Sequence, residues 1–228
     1  MNKNKLNQKI GFQIKNWTSS VYPGRTKIKG KYCEVVPLNI SKHAKQLYDS
    51  FSIHKNDSNW TYLSSDPFHE FEEFHAWLKS DCSGKDPIYY TIIDSKNTEA
   101  VGLASHLRIE PAIGVIEIGN IHFSPKLQKT IMATESMYLM MKRVFEEWGY
   151  RRYEWKCDNY NERSKNAAKR LGFTFEGIFR QATIYKNRNR DTAWFSIIDK
   201  EWPTLKKKFE KWLLPSNFDP NGVQINRL

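Results

Sequence analysis

Tyr153-Glu154-Trp155-Lys156-Cys157 followed by Asn161-Glu162-Arg163-Ser164-Lys165-Asn166-Ala167-Ala168-Lys169-Arg170-Leu171-Gly172-Phe173 decides the reading of this chain. The first run has the composition of a strand, and the second opens a helix after a polar turn. At helical spacing Asn161, Ser164, Ala168 and Leu171 share one stripe. The face that packs inward therefore ends, at its first turn, in two hydrogen-bonding side chains, which points to a site at the end of a strand. Gly172 supplies the residue without a Cβ that commonly stops a helix.

Length and composition bound what surrounds this unit. The chain has 228 residues, of which 39% are hydrophobic, enough for one well-buried domain. No run of about 20 apolar residues exists, and the Lys- and Asn-rich start lacks the apolar core of a signal peptide, so a cytoplasmic protein is expected, with no membrane role. Cys33, Cys82 and Cys157 are widely spaced, which argues for reduced thiols and against a disulfide framework or a paired-cysteine zinc site. His43, His54, His69, His75, His106 and His122 lack metal-ligand spacing, and no metal is assigned. A net charge of +11 favours anionic partners, among them nucleic acid, a membrane surface or a phosphorylated small molecule. The basic residues are dispersed rather than concentrated, as on a solvated basic surface.

Working outward, residues 1–29 read as an extension, 30–214 as one domain and 215–228 as a tail. A strand at 32–36 precedes a helix over His43 to Phe51, capped by Ser41. Asp66-Pro67 opens a second helix whose apolar face carries Phe68, Phe71, Phe74, Trp77 and Leu78. Strands at 89–93, 100–109 and 115–123 are separated by turn signals and read as consecutive antiparallel neighbours. Met137, Met141, Val144, Phe145 and Trp148 repeat at helical spacing up to Gly149. After the Asn161 helix come strands at 173–178 and 192–198 and a helix at 202–213. The class is α/β, with a mixed, mostly antiparallel sheet flanked by helices and no internal repeat.

Three features carry possible chemistry. The segment Ser124-Pro125-Lys126-Leu127-Gln128-Lys129-Thr130-Ile131-Met132 leads from a strand into a helix, and free amides at a helix N-terminus suit a phosphate or pyrophosphate. Strand alternation places Glu117 with Val115, Gly119, Ile121 and Phe123 on an otherwise apolar face. Partial desolvation there would raise its pKa towards that of a general base, although it could instead reach solvent or an arginine. The third feature is the pair Asn161 and Ser164, which could equally serve as a cap and a backbone partner.

Taken together these segments resemble the GCN5-related N-acetyltransferase (GNAT) superfamily over about residues 30 to 200, specifically its branch of ribosomal-protein N-terminal acetyltransferases and their small-molecule-modifying relatives. The most specific part is Asn161-x-x-Ser164 through Leu171-Gly172-Phe173 and Glu176-Gly177. The run Gln128-Lys129-Thr130-Ile131-Met132-Ala133-Thr134-Glu135 is similar to the family's pyrophosphate loop, with Ile131 standing where the first glycine of the pattern is expected.

The resemblance implies a sheet splayed between its fourth and fifth strands, the strand carrying Glu117 and the strand at 153–157, with acetyl-coenzyme A in the opening. It implies that backbone groups of Ile121, His122 and Phe123 pair with the pantetheine arm. Gln128, Lys129, Thr130, Ile131, Met132, Ala133 and Thr134 would hold the pyrophosphate. Asn161 would bond the arm from the other side, with Arg163 near a phosphate. It further implies direct attack by a primary amine, of a peptide N-terminus or a small molecule, with Glu117 as base, through a water, and Ser164 protonating the thiolate. Two other readings stand beside it: a coenzyme A binding protein without turnover, and a basic nucleic-acid binder. The second is weakened because Phe71, Phe74, Trp77, Trp148, Trp155 and Trp212 fall on inner faces. The loop at 60–63 and the turn at 180–190 would border the acceptor, and either a monomer or a homodimer is compatible with the chain.

Overall fold

A computed structural model describes residues 2–53, 57–220 and 222–228, so His54 lies outside the described residues. The elements run β1 (Asn2–Lys3), β2 (Lys9–Ile10), β3 (Ile28–Lys29), β4 (Cys33–Pro37), α1 (Ile40–Phe51), α2 (Phe71–Asp81), β5 (Ile88–Asp94), β6 (Ala100–Glu110), β7 (Val115–Phe123), α3 (Ile131–Lys142), β8 (Arg152–Asp158), α4 (Glu162–Arg170), β9 (Thr174–Tyr185), β10 (Arg188–Ile198) and α5 (Trp202–Trp212). β1 and β2 pair only with each other, and the rest form one sheet in the order β3-β4-β5-β6-β7-β8-β10-β9. Every neighbouring pair is antiparallel except β7 and β8, which run parallel because α3 crosses between them.

Helices cover both faces. Leu47, Phe51, Phe74 and Leu78 of α1 and α2 pack on Tyr89 and Leu103. Met137 and Met141 of α3, Ala168 of α4 and Phe209 of α5 pack on Tyr90, Ile92, Ile118 and Trp155 on the opposite face. β5 is buried from Ile88 to Ile92, as a strand covered on both sides must be.

Several boundaries differ from the sequence reading. Asn39, not Ser41, caps α1 by accepting from the Lys42 amide at 3.2 Å, and the Ser41 hydroxyl donates to Asn39 Oδ1 instead. The second helix starts at Phe71 rather than at Pro67: Asp57–Trp60 forms a 3-10 turn, turns and bends follow it, and the cap residue Glu70 is extended at φ −115° and ψ 141°. Residues 180–190 are not a turn: β9 and β10 form a long hairpin, reversed by Lys186 and Asn187 at φ of +48° and +57°. Two central residues in the left-handed region match the twist of the strands, and asparagine tolerates that conformation well.

The extension is tied down at several points. The buried Arg143 donates to the carbonyls of Thr26 at 2.6 Å and Lys27 at 3.2 Å, and the Trp17 indole donates to the Ala112 carbonyl at 2.8 Å. The tail folds back, with the Trp212 indole donating to Gln224 at 2.9 Å.

Candidate active site

β7 and β8 pair at four positions, Val115 with Arg152 through Ile118 with Trp155, and then part. β7 stays with β6 up to Phe123, and β8 stays with β10 up to Asp158. The sheet therefore opens beyond Ile118 and Trp155, and the stretch from Gly119 to Phe123 has no strand on that side. Its backbone groups are the polar atoms that an inserted extended chain would satisfy.

A bulge shapes this edge. Gly119 pairs with Ser105, but the next paired position on β7 is His122 with Leu103, so β7 carries one extra residue around Asn120, at φ +49°. The Asn120 amide donates to Ser105 Oγ at 2.9 Å and holds the distortion. An extra residue inverts the alternation beyond it. His122, rather than Ile121 and Phe123, consequently shares the Glu117 face; Ile121 and Phe123 pack against the α3-side core. The sequence reading had this the other way round, because strict period two does not foresee a bulge.

At the end of β7 the chain turns into α3. Lys129 lies in the left-handed region at φ +61°, and Ile131 begins the helix with a negative φ. Thr130 caps α3 by accepting from the Ala133 amide at 3.2 Å and donates to the Leu127 carbonyl at 2.6 Å. The amides of Ile131 and Met132 in the first turn have no intrahelical acceptor. A left-handed residue just before such a turn makes the concave set of N–H groups that suits an oxyanion. Gln128 is turned inward: its Nε2 donates to the Phe123 carbonyl at 2.7 Å and to Asn59 at 3.3 Å, so it braces the loop and occupies one carbonyl of the open edge. Thr134 is buried and accepts from Arg170 of α4 at 3.0 Å, which locks the two helices together. Lys126 reaches Glu99 at 2.6 Å.

Glu135, one residue further, is structural. Its carboxylate accepts from the amides of Lys31, Tyr32 and Cys33 at 2.7–2.8 Å and fastens β4 to α3. Gly30 passes so close that an added Cβ would lie 2.5 Å from the Glu135 carboxylate.

On the other side of the opening, Asn161 caps α4 by accepting from the Ser164 amide at 3.0 Å. Ser164 Oγ accepts the Trp155 indole N–H at 2.9 Å, a side-chain partner rather than the backbone partner considered from sequence. Burial pushes the Cys157 thiol up, while a hydrogen bond with Ser164 acts in the other direction. Arg163 is exposed on the outer side of α4, and Lys165 pairs with Glu162 at 2.6 Å.

Glu117 is almost fully buried, but its surroundings are not apolar. Its Oε2 lies 2.6 Å from Arg108 and 2.8 Å from Lys156, so the carboxyl sits between two cations. Lys156 also reaches Glu154 at 2.7 Å and sits 3.7 Å from the centre of the Trp194 ring. Glu154 in turn meets Arg152 at 2.7 Å, and Arg152 forks onto Glu176. A chain of alternating charge thus crosses the sheet on the α1 and α2 side. Lys156 was not singled out from sequence. The signal was present, because Arg152, Glu154, Lys156 and Asp158 fall at alternate positions of β8 and share one face, opposite Tyr153, Trp155 and Cys157.

Glu117 and Ser164 accordingly lie on opposite faces of the sheet and can act on one reaction centre only through the opening between β7 and β8. His122 sits on the Glu117 face, stacked on Phe51 at 3.9 Å and edge-on to Trp60 at 4.2 Å, with neither ring nitrogen hydrogen-bonded. Burial pushes its pKa down to about 3, so the ring is neutral at physiological pH. The 60–66 loop and the hairpin tip meet over this side: Lys186 Nζ contacts the Trp60 carbonyl at 2.8 Å and Asp66 at 3.1 Å, and the Tyr62 hydroxyl donates to the Tyr160 carbonyl at 3.1 Å. No cluster of potential metal ligands occurs among the described residues, and no helix among them is long and apolar enough to cross a membrane.

The arrangement has clear relatives. Residues 36–174 match the family model described as an acetyltransferase (GNAT) domain. A GCN5-related N-acetyltransferase from Brucella melitensis is 43% identical, with a TM-score of 0.92 over 94% of this chain and 97% of that one. A probable GNAT-family acetyltransferase from Chromobacterium violaceum is 37% identical, with a TM-score of 0.80 over 86% and 98%. A microcin self-immunity acetyltransferase, solved in complex with acetyl-CoA and AMP, shares the fold at 19% identity, with a TM-score of 0.63 over 74% and 93%. No curated protein matches the chain significantly. An α/β sheet open between two parallel strands, a helix N-terminus beside the opening and these relatives agree: the chain belongs to the GNAT acetyltransferase family and is an acyltransferase.

Proposed function

We propose that the chain transfers the acetyl group of acetyl-CoA to a primary amine, of a peptide N-terminus or a small molecule, by direct attack across the opening between β7 and β8. The observation that carries this reading is the parting of the two strands beyond Ile118 and Trp155 beside the free first turn of α3. Backbone groups from Gly119 to His122 would pair with the pantetheine arm, and the amides of Ile131 and Met132 would hold the pyrophosphate. The Asn161 amide N–H groups would bond the arm from α4. Acetyl-CoA supplies an activated thioester and a thiolate leaving group.

Within this reading, the acceptor approaches on the Glu117 face. An α-amine has a pKa of about 8 and a lysine about 10.4, so proton removal must accompany attack near neutral pH. Both cations bond Glu117 through Oε2, which leaves Oε1 to take that proton through a water. The Ser164 hydroxyl lies on the thiolate side and would return a proton to the departing sulfur. Peptide N-termini, as in the ribosomal-protein branch, and small amines both suit a face bordered by Trp60, Tyr62 and Lys186.

The test is release of free thiol from acetyl-CoA in the presence of a panel of peptides and small amines, with product mass. A mass gain of one acetyl group on an amine is expected. Tight acetyl-CoA binding with no acetylated product from any amine would favour a cofactor-binding protein without turnover.

A further inference from the structure

His122 stands in the stretch of β7 that pairs with β6 but has no strand on the β8 side, and the bulge at Asn120 turns it onto the Glu117 face. The residue is only 3% exposed, yet both ring nitrogens are buried without a hydrogen-bond partner. Among the described residues no other side chain has two such atoms. Phe51 stacks on one face of the ring, with centroids 3.9 Å and planes 12° apart, and Trp60 meets it edge-on at 4.2 Å. Packing therefore accounts for the ring but not for its nitrogens. A phenylalanine would fill the same aromatic setting without stranding any polar atom, so the imidazole calls for a partner of its own.

The setting narrows what that partner is. Burial pushes the His122 pKa down to about 3, so the ring carries one N–H and one bare nitrogen, and it can donate one hydrogen bond and accept another. A hydroxyl or an amide offers the matching acceptor and donor. Direction separates the acceptor from the cofactor. Backbone groups of β7 lie in the plane of the sheet and face the opening, whereas side chains stand perpendicular to it. His122 consequently projects to the side of Glu117, not into the gap where an extended arm would pair with backbone. Glu117 leans the same way: its Oε1, the oxygen free of both cations, lies 3.6 Å from where a Cβ on Gly119 would be. Gly119 is the next residue of that face towards His122, and Leu107 packs beside it. Across the opening the Trp194 indole N–H is also buried without an acceptor, and its ring lies 3.7 Å from Lys156. Polar groups without partners thus flank the Glu117 face on both sides of the opening.

We infer that His122 is a specificity-determining residue for the acceptor, whose imidazole hydrogen-bonds an uncharged hydroxyl or amide carried by the amine that is acetylated. The inference rests on the reading that the acceptor approaches on the Glu117 face, and it adds the kind of group that accompanies the amine. Phe51 and Trp60 hold the ring in one orientation, and Lys186 fixes that wall by donating to the Trp60 carbonyl at 2.8 Å. A plain alkylamine leaves both nitrogens stranded. A site built to hydrogen-bond a substrate rejects the analogue lacking that group more strongly than an apolar pocket rejects one by size.

The experiment compares steady-state acetylation by the unmodified full-length chain and by His122→Phe. Glycinamide, ethanolamine and the peptide Ala-Ala-Ala carry an amide or hydroxyl, while isobutylamine and propylamine match the first two in shape without it. Each variant is compared with the unmodified chain on the same amine, so differences in amine basicity cancel. For the first three amines His122→Phe should raise KM at least about tenfold with kcat changed less than about twofold, the signature of lost binding rather than lost chemistry. For the two alkylamines KM should change less than about twofold, as should the Kd for acetyl-CoA. His122→Gln keeps a donor and an acceptor and should restore most of the KM. The melting temperature of His122→Phe at neutral pH should not fall; a fall would assign the KM change to lost packing and overturn the inference. Equal KM changes for both sets of amines, or none, also overturn it. So does weakened acetyl-CoA binding with acceptor KM unchanged, which would make the cofactor the partner. Failure of the unmodified chain to acetylate any of the five amines, with acetyl-CoA bound, would overturn the transfer reading and the inference with it.

Discussion

Lys156 holds Glu117 at 2.8 Å while both side chains are more than nine-tenths buried, and the pair spans β7 and β8 where the two strands separate. Charge and fold are coupled at that point. The parallel pairing of β7 with β8 covers only four positions, and the pair sits at its last turns, Glu117 opposite Glu154 and Lys156 just past Trp155. Removing one member leaves the other buried without its full complement, which typically costs about 3–5 kcal/mol.

Glu117→Gln therefore has two separable effects. The melting temperature falls, because Lys156 and Arg108 lose their shared carboxylate. If Glu117 takes the amine proton, the acetylation rate falls by about a hundredfold or more, most steeply at low pH where more of the acceptor is protonated. Acetyl-CoA affinity stays nearly unchanged. Equal rates for the two proteins across the pH range would remove Glu117 from the mechanism while leaving its structural role intact.

Ser164→Ala strands the Trp155 indole N–H next to the core and should cost about 1–3 kcal/mol. Ser164→Thr keeps the hydroxyl and should restore most of that stability. If the hydroxyl also returns a proton to the thiolate, the alanine variant loses kcat with little change in KM. Lowered stability with normal kcat would confine Ser164 to bracing Trp155.

The phosphate loop can be probed at two neighbouring positions. Lys129 carries the left-handed turn, so Lys129→Gly should raise stability by up to about 1 kcal/mol, and it should weaken acetyl-CoA binding through loss of a cation. Ile131 has an ordinary helical start, so Ile131→Gly should cost stability without tightening acetyl-CoA binding. Tighter binding by the glycine variant would show instead that the isoleucine distorts the loop.

Acid sensitivity follows from His106 and His122, both pushed down to about 3 by burial. Between pH 6.5 and 3 the unfolded chain binds protons that the folded chain refuses, so stability falls as pH is lowered through that window. Each residue contributes a slope of up to about 1.4 kcal/mol per pH unit. His122→Phe should flatten the slope by one proton, measured by denaturant unfolding at pH 4 to 6.5. An unchanged slope would mean that His122 is reachable by protons in the folded state.

How much of this was legible in the sequence depended on how local the cause was. The Asn161–Ser164–Ala168–Leu171 stripe and the stops at Gly149 and Gly172 stood in the chain as local pattern, and the structure has both glycines at positive φ, +69° and +89°. The bulge at Asn120 was not legible, since it depends on how β6 pairs with β7, and it moved His122 onto the Glu117 face. Nor was the ion pair at Glu117 predictable in detail, because Lys156 reaches it only once β7 and β8 lie side by side. The start of α2 at Phe71 was displaced because the Asp66-Pro67 signal is also compatible with an extended approach. Likewise the sequence reading ended one strand at 178, began the next at 192 and left a turn at 180–190, whereas cross-strand pairing carries β9 on to Tyr185.

Amide hydrogen exchange with and without acetyl-CoA tests the central claim most directly. Acetyl-CoA in the opening should slow exchange at Gly119 to His122 and at Ile131 and Met132, with smaller effects at the start of α4. Protection confined to other segments, or no protection at saturating acetyl-CoA, would contradict a cofactor held between β7 and β8.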